Sequence, residues 1–197
     1  MRIIGIIGGV ASGKSAVSQQ FAVLGAGVLD ADRAGHEALR TPRVEAAARQ
    51  RWGKAVFGHD GKIDRSLLAQ IVFAPGEEAE QERKYLEQIT HPIITDLLRR
   101  QAETFAAEGK KVAVLDAALL IEAGWNKLCE KIVFVDALKA VRLARALERG
   151  WSEADFAARE RVQDLLDRKR TLADAVIDNS GSPEKTKEEV KRFWVTL

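Results

Sequence analysis

Residues Gly8-Gly9-Val10-Ala11-Ser12-Gly13-Lys14-Ser15 carry the pattern G-x-x-x-x-G-K-[ST]. They follow the apolar run Arg2 to Ile7, which reads as a buried strand, and they open a stretch that reads as a helix. In that context the pattern is a phosphate-binding loop. Its glycines let main-chain N–H groups wrap around phosphate oxygens without obstruction by Cβ, and the helix start adds the positive end of its dipole. Lys14 is placed to reach the β- and γ-phosphates of a nucleoside triphosphate, and Ser15 to offer its hydroxyl to Mg2+. Ala16 cannot supply the second hydroxyl that often follows such a motif.

A loop of this kind needs a parallel sheet to carry it, and the chain supplies one. Short apolar runs at Gly27 to Leu29, Val112 to Leu115, Ile132 to Val135 and Ala175 to Ile177 read as further buried strands. Between them lie stretches rich in Ala, Leu, Glu, Arg and Gln that favour helices, so the alternation predicts a doubly wound α/β sheet. The interval from Ala34 to Lys111 is longer than one crossover requires and holds several helical patterns. It is expected to form a helical insertion, punctuated at Thr41-Pro42, His59-Asp60-Gly61 and Ala74-Pro75-Gly76. A second excursion, Leu138 to Leu172, carries Arg142, Arg145, Arg149, Arg159 and Lys169 interspersed with acids.

Carboxylates end two of these strands. Leu29-Asp30-Ala31-Asp32 puts two acids just past the second strand, on the edge where open α/β sheets bind ligands. Asp32 is the preferred base for an attacking hydroxyl and Asp30 a helper near the metal, although either residue could instead cap the next helix. Val112-Ala113-Val114-Leu115-Asp116 is an apolar strand ending in an acid, which makes Asp116 a Mg2+ partner if it is not simply a turn former.

Lys plus Arg number 31 against 29 Asp plus Glu, a net charge of +2, so a uniformly basic nucleic-acid face is not expected. One cysteine, Cys129, excludes an internal disulfide framework and suits a reducing compartment, so the cytoplasm is the expected location. No apolar run approaches a membrane span. His36 and His59 have no companions at metal-ligand spacing and read as structural. His91 precedes Pro92, and an X-Pro step biases residue 91 away from helix.

Several separated signatures together resemble dephospho-CoA kinases, which move a phosphate from ATP to the ribose 3′-hydroxyl of dephospho-CoA. They are Gly8 to Ser15; Val28-Leu29-Asp30-Ala31-Asp32; Asp60-Gly61-Lys62-Ile63-Asp64-Arg65 followed by Val72-Phe73; and Ile89-Thr90-His91-Pro92. Leu115-Asp116-Ala117-Ala118-Leu119-Leu120-Ile121-Glu122, then Arg159, Gln163 and Lys169, then Ala173 to Asn179 complete the series.

The resemblance implies a three-layer P-loop fold with a parallel five-stranded sheet. Residues 1–33, 110–137 and 173–197 would form the nucleotide-binding core, 34–109 a helical CoA-binding domain and 138–172 a lid. It implies Asp32 as the base on the 3′-hydroxyl, with Lys14, Arg145 and Arg149 also serving catalysis. Gly8, Gly9, Ala11, Ser12, Gly13, Lys14, Ser15 and Ala16 would embrace the ATP phosphates, and Asn179 would lie near the adenine. Arg65, His91, Leu119 and Glu122 would join Asp32 at the acceptor, with Ser15 and Asp116 on Mg2+. The arginines could equally be an ordinary solvated or salt-bridged helix face. ATP and dephospho-CoA are the expected small-molecule partners, with no nucleic acid and no membrane, for a monomer or weak homo-oligomer. The chain departs from the family pattern at Ala16, Ala118 and Gly150. A nucleoside or nucleotide kinase and a nucleotide-dependent switch are the competing readings; Asn126-Lys127-Leu128-Cys129 lacks the aspartate of a guanine-specific element.

Overall fold

Five strands form where the apolar runs stand, and each ends one residue beyond its run: β1 (Arg2–Gly8), β2 (Gly27–Asp30), β3 (Val112–Asp116), β4 (Lys131–Asp136) and β5 (Ala175–Asp178). In four of the five that extra residue is an aspartate, so the carboxyl edge of the sheet carries Asp30, Asp116, Asp136 and Asp178 around the glycine that closes β1. The computed structural model describes residues 1–117, 119–162 and 166–197. Ala118 and Gln163, both named above, lie outside the described residues.

All pairings are parallel, in the order β2-β3-β1-β4-β5, with Ile6 level with Asp116 on one side and Val133 on the other. The chain thus reaches β2 and β3 on one flank of β1 before crossing to β4 and β5. The loop after β1 leaves the sheet at this change of side, where doubly wound sheets open a crevice. Each parallel step requires a crossover, which explains why every strand is followed by helix or by a long excursion.

The chain divides into two compact units, Met1–Asp30 with Gln101–Leu197, and Ala31–Arg100. In the first, α1 (Lys14–Val23) and α9 (Pro183–Trp194) cover one face of the sheet. Val17 and Phe21 of α1 and Val190 of α9 pack on Ile4, Ile6, Val114, Val133 and Ile177. Phe21 is fully buried and meets the Phe193 ring edge-on at 6.0 Å. On the other face Gly5 leaves room for Leu120 and Cys129: a Cβ there would stand 2.9 Å from both. Burial pushes the Cys129 thiol up to about 12, which makes it an inert filler at neutral pH. Residues 138–172 contribute α6 (Lys139–Glu148), α7 (Glu153–Val162) and α8 (Leu166–Thr171) to this same unit.

The second unit holds α2 (Ala31–Ala38), α3 (Pro42–Trp52), α4 (Arg65–Val72) and most of α5 (Glu77–Ala107) around Ala48, Val56, Leu68 and Val72. Thr41-Pro42 and Ala74-Pro75-Gly76 fall where helices start, and His59-Asp60-Gly61 turns the chain between the bridged Phe57 and Ile63. Pro42 opens α3, and Asp64 caps α4 by accepting from the Ser66 and Leu67 N–H groups at 2.7 and 3.2 Å. Glu82 accepts from Arg51 and from the Trp52 indole, each at 2.7 Å, stapling α3 to α5.

The expectation that Pro92 turns residue 91 out of helix is wrong, because His91 and Pro92 lie inside the 31-residue α5. Proline removes one intrahelical donor, yet the helix continues, with Ile94 and Leu98 buried beyond it. The hydroxyls of Thr90 and Thr95 bond back to the Leu86 and His91 carbonyls at 2.7 and 2.8 Å on either side of the interruption. Tertiary burial outweighs the local preference. Among the described residues no helix is long and apolar enough to cross a membrane.

Gly27 shows how tightly β2 is enclosed. A Cβ on it would come within 2.2 Å of the Phe105 ring. Gly27→Ala is therefore expected to lose about 1–3 kcal/mol of stability through overpacking, measured as a lower urea midpoint at unchanged slope.

Candidate active site

Beyond Gly8 the chain turns sharply, and the turn is shaped by what surrounds it. A Cβ at Gly8 would approach the Val135 carbonyl oxygen to 2.5 Å and Ser12 Oγ to 2.7 Å, so only glycine lets β1 end this close to β4. Ala11 sits at φ 55°, a left-handed conformation that costs a non-glycine residue free energy and is characteristic of functional turns. Gly13, at φ 91°, then begins α1, and no side chain caps that helix. An uncapped helix start inside a concave loop of main-chain amides is a receptor for a multiply charged anion. The Lys14 ammonium lies against the same loop, donating to the Gly8 carbonyl at 3.3 Å.

Side chains from α6 and from the end of β5 hold this loop. Asn179, immediately after β5, donates its amide nitrogen to the Ser12 carbonyl at 2.7 Å. Arg145 of α6 donates to the same carbonyl at 3.3 Å and to the Asn179 carbonyl at 2.9 Å. Arg142, one turn earlier and only 8% exposed, donates to the Val10 carbonyl at 3.3 Å and to Glu160 of α7 at 2.6 Å. Burial of Glu160 would raise its pKa, but hydrogen bonds from Lys139 and Arg142 outweigh it and keep the carboxyl below its ordinary value. These contacts bind α6 to the loop over α1.

Beside the loop opens a cavity of about 330 Å3, walled by Gly13, Ala16, Arg145, Arg149, Asn179 and Thr186. A larger one, about 590 Å3, lies among Arg2, Lys110, Lys111 and Trp194, at the opposite edge of the strands. Ligands of open α/β sheets bind at the carboxyl edge, so the smaller cavity is the one that matters for chemistry on the loop.

The acids fall into two groups. Asp136 is ion-paired with Arg170, and Asp178 with Lys185 at 3.3 Å. Hydrogen bonds from Ser180, with help from Lys185, hold the Asp178 carboxyl below the usual carboxylate range. Asp30 and Asp116 stand in register on the adjacent strands β2 and β3. Among the described residues no group of three or more His, Cys, Asp and Glu side chains converges. Ser15, at the start of α1, and Asp116, at the end of β3, are the groups that could hold a divalent ion taking most of its ligands from water and phosphate.

Residues 2–185 match the family model described as dephospho-CoA kinase. The chain belongs to that family. It is 41% identical over 201 residues to a dephospho-CoA kinase of Symbiobacterium thermophilum, covering 98% of this chain and 80% of that protein. The Aquifex aeolicus dephospho-CoA kinase is 38% identical over 199 residues, covering 100% and 98%. Among solved structures, a Thermus thermophilus protein superposes with a TM-score of 0.82 at 32% identity, covering 100% of this chain and 97% of the other. Dephospho-CoA kinase from Campylobacter jejuni gives 0.72 at 26% identity, covering 99% and 96%. Shikimate kinase from Acinetobacter baumannii, at 0.56 and 16% identity over 100% and 94% of the two chains, shares the fold.

Of the residues singled out from sequence, the structure gathers Gly8 to Ala16, Arg145 and Asn179 around one loop. Arg149 lines the adjoining cavity. Leu119 and Glu122 belong to the same unit, and Glu122 pairs with the nearly buried Lys169 at 2.7 Å. Asp32, Arg65 and His91 belong to the Ala31–Arg100 unit: Asp32 in the first turn of α2, Arg65 opening α4, and His91 on α5. Burial lowers the pKa of His91, with Glu87 opposing, which favours the neutral imidazole. Sequence reasoning passed over Arg142 as a loop contact and Thr186 entirely. For Thr186 a signal existed: it occupies the inward stripe of α9 with Val190, a polar residue where an apolar one belongs.

A methyl group at position 13 would overlap the Asn179 amide and force a side chain into a left-handed backbone. Gly13→Ala is expected to weaken ATP binding about tenfold or more while leaving a folded protein. Calorimetric titration with ATP, read beside the circular dichroism spectrum, checks it.

Proposed function

We propose that this chain transfers the γ-phosphoryl group of ATP to the ribose 3′-hydroxyl of dephospho-CoA, giving coenzyme A and ADP. The observation that carries the reading is the uncapped, strained loop from Gly8 to Ser15, held from behind by Asn179 and Arg145, in a chain whose family acts on that acceptor.

The loop binds the β- and γ-phosphates through its amides, with Lys14 moving from the Gly8 carbonyl to the phosphate oxygens. The cavity beside Gly13, Ala16 and Asn179 takes the adenosine end, with the Arg145 and Arg149 guanidinium groups at its wall. Mg2+, when bound by Ser15 and Asp116, would neutralise charge on the β- and γ-phosphate oxygens. Asp32 accepts the proton of the 3′-hydroxyl as that oxygen attacks the γ-phosphorus. The bond from the γ-phosphorus to the bridging oxygen breaks, and ADP leaves with the bond's electrons.

Arg65, His91, Leu119 and Glu122 contact the acceptor in this reading, and residues 34–109 supply its CoA-binding surface. Helices α6 to α8 serve as the lid, excluding the water that would otherwise compete for the phosphoryl group. A reducing cytoplasm suits the single half-buried thiol.

A coupled ADP assay with dephospho-CoA, nucleosides, AMP and shikimate as acceptors tests the assignment. ADP release that depends on dephospho-CoA is expected; equal release with no acceptor would mean a hydrolysing switch, and release with AMP alone a nucleotide kinase. In the same assay Lys14→Ala is expected to cut kcat by about 10²- to 10³-fold. Asp32→Asn should lower it by about 10²- to 10⁴-fold at nearly unchanged ATP affinity. An Asp32→Asn enzyme at full speed would remove Asp32 from the chemistry.

A further inference from the structure

We infer that Thr186 is a positioning residue of the nucleotide site: it fixes the Asn179 amide so that the Ser12–Gly13 peptide aims its N–H into the phosphate cradle. A planar trans peptide points its carbonyl and its following N–H in opposite directions, and no described peptide bond is cis. Whatever grips the Ser12 carbonyl therefore decides where the Gly13 N–H points. Two donors grip it, the Asn179 side-chain nitrogen at 2.7 Å and Arg145 at 3.3 Å.

The asparagine can do this only one way round. Its amide must present nitrogen to Ser12, and a flipped amide would set an acceptor oxygen against an acceptor oxygen. With its nitrogen on Ser12, Asn179 leaves Oδ1 in need of a donor, and the Thr186 hydroxyl supplies one at 2.8 Å, with the Ser182 carbonyl at 3.4 Å as its alternative acceptor. Both residues are nearly buried, Thr186 3% and Asn179 6% exposed, so losing that donor leaves an amide oxygen with little access to solvent. The Asn179 backbone is held independently, its N–H donating to the Asp136 carbonyl at 2.7 Å. Thr186 and the Ser12 carbonyl together hold the amide against rotation about its last side-chain bond. Glycine at 13 completes the fit, since a side chain there would occupy the amide's place. Thr186 also lines the 330 Å3 cavity, so its helix reports directly to the nucleotide pocket.

This inference rests on ATP binding at the phosphate loop, and its test uses the nucleotide alone, so the identity of the acceptor does not enter. Affinity for a non-hydrolysable ATP analogue with Mg2+ is measured by calorimetry for wild type, T186V, T186S, N179D and T186V/N179D. T186V is expected to weaken binding by about five- to tenfold, and T186S to recover most of the loss. N179D, which removes the nitrogen donor, should weaken binding at least as much, and the double variant should bind no worse than N179D because both changes break one chain of bonds. In the kinase assay T186V should raise the KM for ATP with the acceptor KM within about twofold. Wild-type affinity in T186V would overturn the inference. So would losses in T186V and N179D that simply add, or a T186S variant no better than T186V. If T186V does not fold, T186S against N179D still decides: T186S must bind close to wild type while N179D does not.

Discussion

A main chain that offers donors to an anion has to be held open by something other than the anion, and that requirement organises the nucleotide-binding unit. Gly13 and the start of α1 offer amides that an ordinary helix would satisfy with a capping side chain. Their carbonyls, facing the other way, are where the protein spends its side chains: Arg142 on Val10, and Arg145 with Asn179 on Ser12. Charged and amide donors on those oxygens polarise the peptides and leave their N–H groups pointing toward the ligand. Left-handed Ala11 and Gly13 are tolerated because this surrounding network over-determines their backbone.

The rest of the unit serves that arrangement at a distance. Parallel pairing with β1 at the change of side puts the loop where helices α1, α6 and α9 can all reach it. Four strands ending in aspartate give the carboxyl edge a negative rim, of which Asp136 and Asp178 are neutralised by Arg170 and Lys185. Asp30 and Asp116, side by side on β2 and β3, form the acidic pair on the flank of β1 opposite those two.

Much of this was legible beforehand. Buried parallel strands are continuous apolar runs, so all five could be read from composition alone, and the phosphate loop is a local pattern with a local mechanism. His91 was misjudged for a reason of the same kind: the rule for residues before proline is local, while α5 is kept helical by burial of Ile94 and Leu98 along its length. Glu122 stood out as a motif, yet its ion pair with Lys169, 47 residues away by number, could be seen only once the chain was folded.

The sequence by itself determined the class of fold, the anion-binding loop and the family, since each of these depends on short-range periodicity or on residues whose spacing along the chain is their spacing in space. Tertiary structure alone decided which side chains hold the loop. Arg145 and Asn179 meet on the Ser12 carbonyl from opposite ends of an excursion, and Thr186 meets Asn179 across the turn into α9. Hydrogen bonds at 2.7 to 3.3 Å are questions of orientation, and orientation is settled by packing of the whole core rather than by the order of residues.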